Sequence, residues 1–85
     1  MYSLIIWNEH QKEHFRPAVK LFWTEEEAVD TLKEIYEADY NDLIAQGYEI
    51  DKTKSYQDED SAAIYYRSGK VKFSYTYVIV VAEEI

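Results

Sequence analysis

One long helix across one face of a small, mostly antiparallel β-sheet is the fold this sequence predicts. It is an α+β arrangement in the order β-(β)-α-β-β, ending in a C-terminal hairpin. Three features carry that expectation. Residues 24–47 read as a capped amphipathic helix. Two short runs, residues 4–7 and 78–82, are apolar on both faces, as central strands are. A β-branched and aromatic run follows Gly69, where a hairpin turns. The 85 residues make one domain, 1–85.

The first strand is "YSLIIW", residues 2–7. "NEHQKEHFRP" is polar and ends at Pro17, which marks it as a loop at the tip of a ragged hairpin. "AVKLFW", residues 18–23, alternates as a short edge strand does, with Pro17 at the start where a strand tolerates proline.

The helix has the clearest signals. Thr24 and Glu27 have the spacing of a capping box, and Gly47 sits where a left-handed residue ends a helix. At about 100° per residue, Ala28, Val29, Leu32, Ile35, Tyr36, Tyr40 and Leu43 form one stripe that must pack on a sheet. Asp39 falls inside that stripe. A carboxylate there is costly unless bonded, so it is expected to meet a tyrosine hydroxyl or a gap at the sheet edge.

"YEIDKTKSYQDED", residues 48–60, lacks a sustained period and reads as a loop with room for a short strand at its start. The remainder reads as a hairpin turning at Ser68 and Gly69. Pairing Arg67 with Lys70 sets Tyr66 opposite Val71, Ile64 opposite Phe73 and Ala62 opposite Tyr75, on one face with Tyr77, Ile79 and Val81. The rival reading makes residues 62–68 a short helix stopped by Gly69.

Composition limits the function classes. There is no cysteine, which excludes disulfides and thiolate metal sites and fits a reducing, cytoplasmic setting. The start of the chain has no basic n-region, and the longest apolar stretch, residues 77–82, is too short to span a membrane. The serines occupy no nucleophile elbow, and neither glycine belongs to a phosphate-cradling loop.

"HQKEH", His10 to His14, resembles the inverted zinc-protease motif, which needs both histidines one turn apart on a rigid helix. A small metal-dependent enzyme using these histidines is one alternative. However, the segment has no apolar stripe to dock such a helix, so no metal, cofactor or catalytic residue is expected. Arg67, Lys70 and Lys72 with Tyr65 outline a nucleic-acid platform, but a net charge of −8 opposes phosphate.

The charge distribution is the most informative feature. Residues 25–46 hold eight acids and one lysine, and the rest of the chain holds nine acids and eight bases. Net charge is therefore −7 on one element and −1 elsewhere. Glu25, Glu26 and Glu27 suit the positive end of the helix dipole. Glu26, Glu27, Asp30, Glu34 and Glu37 form a stripe in which like charges meet at i,i+3 and i,i+4, a local cost of about 1–2 kcal/mol. Solubility alone does not require that cost, so these five are the expected partner-binding residues.

The expected partner is a basic protein surface, including that of a nucleic-acid-binding protein. In size and charge, though in no motif, the chain resembles small phage-encoded inhibitors that mimic DNA, such as anti-restriction and anti-CRISPR proteins. That likeness implies a non-enzymatic inhibitor. The other alternative is a homodimeric assembly module. The sheet face carrying Ile5, Trp7, Val78 and Val80 has no second helix to cover it, which leaves loops or another subunit.

Overall fold

The computed structural model describes residues 1–10, 13–14 and 18–81. In chain order the elements are β1 (Tyr2–His10), β2 (Glu13–His14), β3 (Ala18–Phe22), α1 (Glu25–Ala45), β4 (Glu49–Ile50), β5 (Tyr56–Gln57), β6 (Ser61–Ser68) and β7 (Val71–Val81). Every pairing is antiparallel. The sheet runs β2-β1-β7-β6-β4, with β3 also on the outer edge of β1 and β5 also on the outer edge of β6. The α+β architecture is as expected, with one helix on one face of an antiparallel sheet.

β7 lies at the centre, bonded to β1 on one side and β6 on the other. Its ladder with β1 runs from Tyr2↔Val81 to His10↔Phe73. Both runs read as central are thus central, Ala82 lying outside the described residues. The polar segment after Trp7 is not all loop, because β1 continues to His10 and β2 pairs with it as Glu9↔His14 and His10↔Glu13. The ladder with β7 extends through these residues and holds them extended whatever their own propensity. Pro17 lies outside the described residues. Beyond it β3 pairs with β1 from Ile6↔Ala18 to Tyr2↔Phe22.

The helix ends as its sequence specifies. Thr24 Oγ1 accepts the Glu27 amide at 3.2 Å. Glu27 Oε1 accepts from the Thr24 hydroxyl at 3.1 Å, so the return half of the expected capping box goes to the side chain rather than the backbone. At the other end Gly47 has φ +90, its amide reaches the Ile44 carbonyl and the Tyr48 amide reaches that of Leu43, both at 3.0 Å. This is a complete Schellman closure, and it turns the chain into β4.

The C-terminal hairpin forms, and residues 62–68 are strand, not helix. Its register differs from the expected one by two residues. Ser68 pairs with Val71, Tyr66 with Phe73, Ile64 with Tyr75 and Ala62 with Tyr77, and the two turn residues are Gly69 and Lys70. The cause lies in the turn. Gly69 has φ +62 and Lys70 does not have positive φ, the pattern that wants glycine first of the two central residues. A two-residue shift keeps every side chain on its face, so the expected core face stands. Residues 48–60 contain two short strands rather than one, β4 and β5, each bonded to β6.

The core lies between α1 and the sheet. Leu4, Ala28, Ala62, Ile64 and Tyr77 are fully buried, and Leu32, Leu43 and Tyr66 are nearly so. Along this layer runs a row of rings. Tyr66 stacks on Phe73 at 5.1 Å and on Tyr75 at 5.6 Å, Tyr75 on Tyr77 at 6.2 Å, and Tyr36 of the helix meets Tyr77 edge-on at 5.9 Å. Such rings bury large areas from few residues, which suits a chain this short. Asn8 Nδ2 donates to the Tyr66 hydroxyl at 2.8 Å, and burial pushes that phenol up to about 12.

The opposite sheet face carries no helix among the described residues. Ile5 lies between Val19 and Val78, and Ser3 between Leu21 and Val80. Val19, Leu21 and Val80 are 57%, 62% and 41% exposed.

Candidate functional site

Helix geometry sets the five stripe residues against the core. Ala28, Leu32 and Leu43 turn into the sheet, and Glu26, Glu27, Asp30, Glu34 and Glu37 lie on the far side of α1, all exposed. Four like-charged pairs occur along it: Glu26–Asp30, Glu27–Asp30, Asp30–Glu34 and Glu34–Glu37. Among the described residues none of the five makes an ion pair. Glu27 alone has a local role, in the N-cap. From Glu26 to Glu37 the stripe covers roughly 16 Å at about 1.5 Å rise per residue, or about 4 Å per charge. Along one DNA strand the phosphates follow at about 3.4 Å of helix axis.

Lys33 on α1, three residues from Asp30 and four from Glu37, relieves only part of the charge on this face, and the bases of the β4–β7 region lie elsewhere. Arg67 donates Nη2 and Nε to Glu49 at 2.8 and 3.0 Å, which holds the Glu49 carboxyl below its ordinary range. Lys52, Lys54 and Lys72 gather with Arg67 around a half-open cleft of about 440 Å³, between the β4–β5 loop and the β6–β7 hairpin. Tyr65, Tyr66 and Phe73 also line it.

The loop over the cleft is tied down. Asp51 Oδ1 accepts the amides of Thr53 at 3.1 Å and Lys54 at 3.2 Å, and the Asp51 amide reaches the Tyr65 carbonyl at 2.7 Å. Ser55 Oγ accepts the Tyr65 amide at 2.9 Å. Sequence reasoning read this segment as irregular and missed the cleft. The signal available was Asp51 ahead of Thr53, the residue type that bonds its own backbone two positions on.

Asp39 meets a tyrosine hydroxyl, one of the two placements expected for it in the apolar stripe. The Tyr77 hydroxyl donates to Asp39 Oδ2 at 2.6 Å, at the helix–sheet interface. Burial raises the Asp39 carboxyl above its ordinary value, the Tyr77 bond draws it partly back, and Asp42 pushes it up. The Tyr77 phenol is raised as well, first by its own burial.

The backbone places His10 and His14 on paired strands, so the helix that the inverted zinc motif needs is not formed. Among the described residues no three His, Cys, Asp or Glu side chains converge as a metal site, and no helix is long and apolar enough to cross a membrane. The chain matches no protein-family model, no curated protein and no solved structure closely enough to assign it to a family.

Proposed function

We propose that this chain is a non-enzymatic binding protein that presents the outer face of α1 to a basic protein surface, as an inhibitor of nucleic-acid-mimic, phage type. The observation that carries the reading is the placement of Glu26, Glu27, Asp30, Glu34 and Glu37. All are exposed opposite the sheet, without an ion-pair partner among the described residues and at a spacing near that of phosphates on one strand. A row that repels itself locally gains most from a partner that supplies the missing cations.

The test uses duplex DNA as competitor. Proteins retained from a lysate on the immobilised chain at low salt should be released by DNA and by salt. The double variant Asp30→Gln/Glu34→Gln should retain about fivefold less or lower, while melting at the parent temperature or slightly above it. Equal retention by both columns would reject the reading. So would a lower melting temperature in the variant, since the acids would then be structural.

A second reading, homodimerisation, is favoured by the exposed Val19, Leu21 and Val80 on the sheet face away from α1. Leu21→Glu should then convert a dimer to a monomer in sedimentation, and a monomeric parent would end that reading. The two readings are compatible, because a dimer joined through this face leaves both acidic helices outward.

A further inference from the structure

We propose that the cleft under the β4–β5 loop binds a mononucleotide, the ring on Tyr65 and the phosphate on Lys52, Lys54 and Lys72. The inference is independent of the acidic helix. Four bases and two acids line the cleft, a local excess of two positive charges on a chain of net charge −8. Both acids are already engaged within the protein. Glu49 holds the Arg67 guanidinium, and Asp51 accepts two amides of its own loop. The three lysines have no such partner among the described residues, and their ammonium groups are available to an anion.

The aromatic side is equally specific. Tyr65 is 38% exposed. Its backbone is clamped through Ser55 and Asp51, so its ring is presented by a rigid strand rather than a loose loop. Arg67 follows two residues on, and Lys72 is paired with Arg67, so the ring, Arg67 and Lys72 share one sheet face. The β4–β5 loop adds Lys52 and Lys54 to the cleft. A tyrosine flanked by cations suits a base that stacks and a phosphate beside it.

Size and charge then select the ligand. A volume of about 440 Å³ suits a small molecule. A strand of nucleic acid would need several phosphate contacts and would bring its remaining charges against a protein of net −8.

The test is an amide chemical-shift titration with AMP, adenosine and inorganic phosphate as probes. AMP should shift amides in residues 52–54, 65–67 and 72 along a saturable curve, with adenosine and phosphate each about tenfold weaker or more, as the loss of one charge-assisted or stacking contact requires. The double variant Lys54→Gln/Lys72→Gln should weaken AMP by about tenfold or more at an unchanged melting temperature, and Tyr65→Leu should remove the advantage of AMP over phosphate. Three outcomes would overturn the proposal: no saturable shift with AMP, equal binding of AMP and phosphate, or undiminished AMP binding by the lysine variant.

Discussion

Replacing Tyr77 by phenylalanine should destabilise the protein by removing one oxygen atom. Tyr77 is fully buried, and its hydroxyl donates to Asp39 at 2.6 Å. A hydrogen bond to a charged group contributes about 1.5–3 kcal/mol, and the variant leaves a half-buried carboxylate without its donor. For a domain of this size that is a fall in Tm of about 6–24 °C. The pH dependence has a definite sign. Burial raises the folded pKa of Asp39, so its contribution is most favourable below the unfolded value, near 4, and is lost as the pH rises through the raised folded value. Tyr77→Phe removes the bond that lowers this pKa and so raises it further. The deficit of the variant should therefore be smallest in acid, where Asp39 is protonated in both proteins, and should grow towards neutrality. Thermal melts of both proteins from pH 3 to pH 7 check this. A neutral-pH difference below about 2 °C, smaller than one ordinary hydrogen bond gives, would refute the reasoning, as would a difference that does not change with pH.

Gly69→Ala should cost about 1 kcal/mol in urea denaturation, purely from backbone conformation, because φ is +62 and an added Cβ meets nothing within 4 Å. A neutral result would mean the turn adopts another shape. Phe73→Ala should cost about 3 kcal/mol, the low end for a core aromatic because the ring is partly exposed. Near-parental stability would contradict its stacking on Tyr66.

The elements legible in the sequence are those whose signals are local. The helix carries its own N-cap in Thr24 and its own left-handed stop in Gly47, so both ends could be placed without knowledge of the sheet. The hairpin was legible as to face but not register. A slip of two residues preserves the alternation of Ala62, Ile64 and Tyr66, and only the position glycine takes in the turn separates the two pairings. β4 and β5, each of two residues, exist because β6 offers them partners; the short strand expected at the start of "YEIDKTKSYQDED" is β4, and nothing in the segment announces β5. The acidic face could be read because it follows helix periodicity. The lysine cleft could not, because it joins residues 49–54 to residues 65–73 across the sheet edge.

β7 comes after every other described element yet occupies the middle of the sheet, with β1 and β6 as its neighbours. Until it arrives, β1 and β6 share no backbone ladder, and the helix faces two separate strips rather than a floor. The closing step joins Tyr2 to Val81 across nearly the whole sequence, a loop closure among the longest this chain can make. Refolding should therefore be slow for the protein's size and cooperative. A ribosome-bound chain that stops at Gly69 should stay open to proteases, even though it already carries the helix and six of the seven described strands.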